Sequence, residues 1–323
     1  MVTLGGALPI YRRVAAESHA GAGSIHMLER LLSRWPAKIF VLILLGFTTT
    51  DFMITMTLSA ADAAEHLEAN PLIPSFMHGH HVLITLGFLT LLAAVFLRGF
   101  TEAIGVSVVL VGAYLALNIV VIVGSLINVL NHPLYFTNWW TALAASHGNI
   151  WLALGLIVLV FPKIALGMSG FETGVVVMPQ IHADGATQTE KIAHRVASTQ
   201  KLLTTAALIM STLLIASSFT TALLIPQAEF QAGGAANGRA LAYLAHAQFG
   251  EAFGTVYDLS TILILWFAGA SAMSGLLNLV PRYLPRYGMA PEWARASRPL
   301  VILFIIVAFI ITLIFDADVE AQG

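Results

Sequence analysis

The sequence predicts an all-α polytopic membrane protein, and three of its properties lead to that class. Of the 323 residues, 58% are hydrophobic and only 10% are charged, whereas a soluble domain is about 25% charged. Seven apolar runs are long enough to cross a bilayer. None of them alternates polar and apolar residues as a half-buried strand would, and a helix satisfies its own backbone hydrogen bonds in lipid. We therefore expect a single transmembrane domain, residues 1–323, built from helical crossings.

The predicted crossings cover roughly residues 39–58, 81–97, 103–130, 150–179, 202–225, 259–281 and 300–315. An apolar stub, MVTLGGALPIY, comes before them and is followed by Arg12 and Arg13. As a helix this stub rises only about 16 Å, against the roughly 30 Å of a bilayer core. We therefore expect the chain to begin partway along a helix and to stop just past a crossing, as a fragment of a longer protein would.

The basic residues predict the orientation of the chain in the membrane. Of the 15 lysines and arginines, all except Lys163 and Arg239 come before the first predicted crossing or after the second, fourth or sixth. Loops rich in lysine and arginine remain on the cytoplasmic side of a membrane. We therefore expect these loops in the cytoplasm of a multi-pass cell-membrane protein. NHPLYFTNWW (131–140) would form an aromatic belt on the outer side, and the C-terminus would lie outside.

The composition disfavours several protein classes. The chain has no cysteine, which rules out disulfides, thiolate zinc sites, iron–sulfur clusters and a cysteine nucleophile. A net charge of −2 offers no basic surface for nucleic acid. We find no nucleotide-binding loop and no nucleophile–base pair in the sequence. It therefore favours neither an enzyme nor an ATP-driven pump, and it predicts no cofactor.

Many of the 11 histidines are expected near the outer surface. The segment FMHGHH could chelate a metal, but it has no nearby cysteine and no HExxH spacing. Haem ligation would need histidines inside facing helices. We therefore expect these histidines to be polar residues of the membrane interface, and we predict no metal site. They are His66, His78, His80, His81, His132, His147 and His246.

The strongest local signal is the stretch PKIALGMSGFETGVVVMP, residues 162–179, inside the fourth predicted crossing. Its prolines and glycines, among them Gly167 and Gly170, favour a break in the helix. Unwound backbone at membrane depth survives only where it is buried in protein or lines a cavity. The backbone near Phe171 and the Glu172 carboxylate would then hold a cation or a proton, as in transporters. A simple structural kink is the alternative.

A polar face runs along the first predicted crossing, and a second runs along the third. Spacings of three and four place the first set on one side of a helix, and the two faces could line a shared hydrated path. Hydroxyl groups that bond their own or a neighbouring helix are the alternative. The first face holds Thr48, Asp51, Thr55, Ser59 and Asp62, and the second holds Ser107, Tyr114, Asn118 and Ser125.

Asp51 is the strongest candidate on these faces, because an ionisable group at membrane depth costs at least a few kcal/mol and needs a partner, water or a function. We expect it to bind a cation or a proton together with Thr55. An ion pair with Lys163 is the structural alternative, since each lies near the middle of its crossing. Asp258 comes close to the outer end of its crossing, where we expect a solvated helix start.

Several motifs in order resemble the amino acid–polyamine–organocation (APC) superfamily of permeases. TDFMITMTLSAAD resembles the third helix of that superfamily, GFETG its broken sixth helix, and NLVPRYLPRYGMAPEW the loop after the eighth. The resemblance implies part of a LeuT-type five-plus-five inverted repeat, running from the end of the second helix to the ninth. Residues 1–141 would form an incomplete first repeat and residues 142–323 an incomplete second.

Within that superfamily, the chain also resembles the KimA-type potassium importers. In those importers an acid in the third helix and another in the sixth help to coordinate the cation. Asp51 and Glu172 match these two positions, whereas Phe52 stands where a tyrosine is expected. The resemblance implies a secondary transporter in the bilayer, coupled to protons, that takes up an amino acid or K⁺; a homodimer would be compatible with it. The alternatives are a passive cation pore and a membrane subunit whose helices only pack.

Overall fold

The computed structural model describes residues 2–18, 34–99, 104–147, 155–157, 159, 169–231, 233–283 and 296–322. Over these residues the chain forms helices joined by turns and contains no β-strand. The all-α class expected from the sequence is therefore confirmed for the described part of the chain.

The described residues form α-helices that we number in chain order. They are α1 (Leu8–Glu17), α2 (Arg34–Glu68), α3 (His81–Leu97), α4 (Ile104–Asn131), α5 (Leu134–His147), α6 (Ser169–Val176), α7 (Gln188–Leu224), α8 (Ala240–Phe249), α9 (Glu251–Tyr283), α10 (Ser297–Ile314) and α11 (Val319–Gln322). A π-helical turn, Thr3–Ala7, leads into α1, so the apolar stub predicted from the sequence is helical.

Within the described residues, five helical segments are long and apolar enough to cross a membrane: Lys38–Glu68, Val106–Asn131, Gln188–Leu224, Glu251–Pro281 and Ser297–Ile314. Each overlaps a crossing predicted from the sequence. The predicted crossing at 81–97 is the shorter apolar helix α3. Half of the predicted crossing at 150–179 lies outside the described residues, so the expected number of seven crossings stays a prediction.

The surface of these helices is apolar over large areas. Val109 on α4, Ile215 on α7 and Ile310 on α10 all have exposed side chains. In water, each Å² of such surface would cost about 25 cal/mol, whereas lipid solvates it. The chain is therefore a multi-pass membrane protein.

Packing between helices divides the interior into three clusters. The largest joins α2, α3, α9 and α10 around Phe52, Met56 and Met273. A second joins α1, α6 and α7 around Phe171 and Val175. The third joins α4, α8 and α9, with Tyr257 fully enclosed. The helix α6 touches α1, α2, α7 and α9, and this central position places its side chains between the first two clusters.

Candidate functional site

The long helix α2 carries Asp51 at the middle of its membrane segment. Asp51 lies 13 residues after Lys38, where that segment begins, and thus about 20 Å along the helix axis. Its side chain and that of Thr55, one turn later, are half-buried. Thr48, on the same face, donates its hydroxyl to the Leu44 carbonyl at 2.9 Å. The polar face expected along this crossing therefore combines a carboxylate at depth with hydroxyl groups, of which at least Thr48 bonds its own helix.

The short helix α6 carries Phe171 and Glu172. Both side chains are buried, with exposures of 6% and 5%, while Gly170 beside them is exposed. The helix begins at Ser169 and ends at Val176, and a 3₁₀ turn, Met178–Gln180, follows it. Pro179 falls in that turn, where no helical N–H is needed. The described part of the helix ends at Val176, and the break expected at Gly167–Gly170 stays a prediction because the residues before Ser169 lie outside the described part of the chain.

Two of the residues predicted for this site, Lys163 and Gly167, lie outside the described residues. The expected ion pair between Asp51 and Lys163 therefore stays a prediction. The same holds for the unwound backbone expected just before Ser169.

Tyr11 of α1 also lies at this site, although nothing in the sequence singled it out. Its ring stacks on Phe171, with ring centroids 5.5 Å apart and an interplanar angle of 19°. Its phenol lies close enough to the Glu172 carboxylate for the two groups to interact. Glu172 is in turn near enough to Asp51 for the two charges to interact. Three helices thus bring two carboxylates and a phenol together, and we call Asp51, Glu172 and Tyr11 the acidic centre.

The polar face of α4 packs against other helices. The Asn118 side chain donates to the Tyr114 carbonyl at 2.8 Å and accepts from the Tyr257 hydroxyl of α9 at 2.9 Å. Ser125 is fully buried and bonds Gln248 of α8 at 3.4 Å. These bonds agree with the packing alternative for this face, because they tie α4 to α8 and α9.

The expectation of a solvated helix start at Asp258 is wrong. Asp258 is the eighth residue of α9, two turns inside the helix, and it is fully buried. Its carboxylate accepts from Asn70 Nδ2 at 2.8 Å and lies 2.9 Å from both His66 Nδ1 and His246 Nε2. Arg239 Nη2 is 3.6 Å away. We call these five residues the Asp258 network and the end of the bundle where they lie the Asp258 end.

The interfacial position expected for the histidines is also wrong for two of them. His66 is 5% exposed and the His246 side chain is 12% exposed, because each points inward to Asp258. In the described part of the chain, no group of three or more histidine, aspartate or glutamate side chains has the arrangement of a metal site. The network is therefore an ion-pair and hydrogen-bond cluster between α2, α8 and α9.

Weak signals for the network do exist in the sequence. His66 and Asn70 are four residues apart, as neighbours on one helical face are. Asp258 follows Glu251 by two helical turns and so shares its face of α9. Neither spacing identifies the partners, however, since His66 and Asn70 are separated from Asp258 by 192 and 188 residues.

Comparison with known proteins leaves the site without a named relative. No protein-family model and no curated protein matches the chain.

Proposed function

We propose that the chain is a secondary transporter of the APC type that couples uptake of a small cation to protons, with the acidic centre as its binding site. The observation that carries the proposal is that Asp51 and Glu172, from two different helices, are near enough for their charges to interact. Buried carboxylates cost several kcal/mol unless a positive charge accompanies them. The acidic centre thus has the chemistry to attract one or more cations.

Two carboxylates also account for coupling. One carboxylate can be neutralised by one proton or by one monovalent cation. Two neighbouring carboxylates can be neutralised by a proton and a cation together, which is the requirement of a symporter. Between two like charges the first to be protonated lowers the cost of keeping the second ionised. Asp51 and Glu172 would therefore load as a pair, and K⁺ is the simplest solute for this arrangement.

The short helix α6 suits alternating access. In transporters with interrupted helices, one bundle rocks against another around a fixed site at the midplane. Helix α6 lies between the cluster of α1 and α7 and the cluster of α2 and α9, and it contacts both. Motion of one cluster against the other would open and close the acidic centre. In this proposal the Asp258 end faces outward, as the positive-inside rule expects.

The test is tracer uptake by the purified chain in lipid vesicles. Radioactive rubidium serves as the K⁺ tracer, an inward proton gradient drives it, and a proton ionophore abolishes the drive. We expect gradient-driven accumulation to fall by about tenfold or more in Glu172→Gln and in Asp51→Asn, because each removes one of the paired charges. Asp184→Asn is the matched control, since its carboxylate lies in an exposed loop.

Three outcomes would contradict the proposal in different ways. Downhill rubidium flux without accumulation would identify a passive pore. Accumulation of a labelled amino-acid mixture, but not of rubidium, would keep the transporter and replace its solute. No flux of either, with an intact fold, would leave a membrane subunit whose helices only pack.

A further inference from the structure

The second group of buried ionisable residues is unexplained by transport at the acidic centre. At the Asp258 end, His246 of α8 lies between two carboxylates of α9. Its Nδ1 is 2.7 Å from Glu251 Oε2, and its Nε2 is 2.9 Å from Asp258 Oδ2. Both ring nitrogens are therefore within hydrogen-bond distance of a carboxylate oxygen.

Counting donors shows that this triad holds an extra proton. An ionised carboxylate only accepts hydrogen bonds, and a neutral imidazole has one N–H and one acceptor nitrogen. With a neutral ring and two ionised carboxylates, one of the two short contacts would bring lone pairs together. A proton on His246 or on a carboxylate removes that conflict. The geometry therefore requires one more proton than a neutral imidazole and two ionised carboxylates carry.

The surroundings of Asp258 place that proton on the outer two members. Asn70 donates to Asp258 Oδ2 at 2.8 Å, and its own Oδ1 accepts from the Leu72 N–H at 3.0 Å, which settles the orientation of the amide. His66 Nδ1 is 2.9 Å from Oδ1. The amide donor and the guanidinium of Arg239, 3.6 Å from Oδ2, favour the ionised form of Asp258. The extra proton belongs to His246 or Glu251.

The triad also has a graded path to the medium. The side-chain exposure is 70% at Glu251, 12% at His246 and zero at Asp258. A cavity of about 500 Å³ adjoins the triad, and its lining includes Glu65, Arg239, His246 and Glu251. A proton from water can therefore reach Glu251 and His246 while Asp258 stays sealed inside.

The chain between the two helices is shaped for this contact. Gly250, the single residue between α8 and α9, has a φ of 82°, a backbone conformation that favours glycine. It turns the chain so that His246 faces back onto α9. Gly254 lies on the same face of α9, and a Cβ there would overlap the His246 ring. Only a glycine at this position leaves room for the ring between Glu251 and Asp258.

We propose that Glu251, His246 and Asp258 form a proton-binding site, open to the medium at the Asp258 end, that fastens α8 to α9 and α2 when it is loaded. The proton makes both contacts of His246 attractive, and Asp258 passes the connection on to His66 of α2. Loss of the proton turns one contact repulsive, which loosens the last turn of α8. This inference does not depend on the chain being a transporter.

Few other groups near the triad change charge around neutral pH. Arg239 keeps its charge and tyrosines remain neutral in this range, and α7 has no ionisable residue after Lys201. The carboxylates and histidines are therefore the groups that titrate. The ionisable residues facing the triad are Glu65 and His66 of α2, Tyr114 of α4, Arg239 before α8, Tyr243 of α8 and Tyr257 of α9.

The experiment follows the proton directly in the full chain, in lipid nanodiscs. Nitrogen NMR of labelled histidine, assigned with His246→Gln, reports the ring from about pH 5 to about pH 9. Infrared spectroscopy reports a protonated carboxyl band that Glu251→Gln removes. We expect either a doubly protonated His246 ring or that carboxyl band at neutral pH, and its loss as the pH rises. A neutral ring with no such band at any pH would overturn the site.

The fastening is tested by amide hydrogen exchange of α8. After correction for intrinsic rates, we expect the amides of its last turn to exchange about tenfold faster once the triad has lost its proton. His246→Gln should exchange at the fast rate at every pH. His182→Gln is the control, since His182 pairs with Asp184 at 3.0 Å in full exposure, and it should behave as wild type. If the amide exchange rate of α8 in the wild type does not depend on pH, the proposed fastening is wrong.

Discussion

The acidic centre and the Asp258 network both hold buried carboxylates, but the groups around those carboxylates differ in charge. Asp258 faces an arginine, two histidines and an asparagine amide, which reach it from two segments of the chain. Glu172 faces a second acid, Asp51, and a phenol. The first carboxylate is neutralised by partners of opposite charge, whereas in the acidic centre one acid lies near another. The partners of Asp258 stabilise its charge, whereas Asp51 and Glu172 each make it more costly for the other to ionise.

The largest expected effect that tests this difference is on stability. Asp258→Asn should lower the free energy of unfolding by about 3–5 kcal/mol, because it leaves Arg239 and the network histidines without their buried counter-charge. Asp51→Asn should leave stability unchanged or raise it, since it removes one of two like charges. Unfolding in mixed micelles, followed by circular dichroism, measures both variants. Equal losses in the two variants would erase the distinction between the two centres.

A smaller loss of stability is expected when the space that Gly254 leaves for the His246 ring is filled. Gly254→Ala should lower the unfolding free energy by about 1–3 kcal/mol, because the added methyl displaces the ring from between its carboxylates. Gly112→Ala in α4 is the control, as its new methyl meets no atom within 4 Å. That control should be neutral or stabilising by about 0.5–1 kcal/mol. A Gly254→Ala protein as stable as the control would show that the ring has another place to go.

The exposed N-terminal cap of α7 provides a reference for the stability changes expected at the two centres. Thr187 caps α7. Its hydroxyl accepts from the Glu190 N–H at 3.2 Å, and the Glu190 carboxylate accepts from the Thr187 N–H. Thr187→Ala should cost about 1 kcal/mol in the same unfolding assay. Thr212→Ala, which removes an exposed hydroxyl that bonds within α7, should change it by less than about 0.5 kcal/mol. A larger loss at Thr187 than at Asp258 would contradict the ranking.

A stability change similar to that at Thr187 is expected at Tyr11, where the effect on uptake is larger. Tyr11→Phe keeps the ring on Phe171 and removes one donor to Glu172, so the unfolding free energy should fall by only about 0.5–1.5 kcal/mol. Uptake driven by the proton gradient should weaken, since Glu172 loses a group that stabilises its charge. Vesicle assays beside Tyr135→Phe, a change at an exposed ring, measure this. Unchanged uptake would separate Tyr11 from the acidic centre.

The features that the sequence predicted correctly depend on residues that are close together in the chain. Apolar runs located the five spanning segments, because the length of such a run is set by the thickness of the bilayer. Asp51 was singled out because a carboxylate inside such a run is costly wherever it lies.

The predictions that failed concern contacts between residues that are far apart in the chain. Asp258 was expected in water because it lies near the end of an apolar run, yet its burial is decided by His66 and Asn70, nearly 200 residues earlier. Tyr11 gave no signal either, since a tyrosine beside two arginines is ordinary at a membrane surface. The partner of a buried polar group cannot be deduced from spacing when that partner belongs to another helix.

The length of α7 has a mechanical consequence. Its 37 residues form a rod of about 55 Å, while the hydrocarbon layer is about 30 Å thick. Its charged first turns, from Gln188 to Lys201, extend beyond the lipid as a lever arm whose inner part rests on α1 and α6. A tilt of about 10° in such a rod sweeps its free end through roughly 4 Å in water. A fluorescent label on that arm would magnify small rearrangements of the helices embedded in lipid.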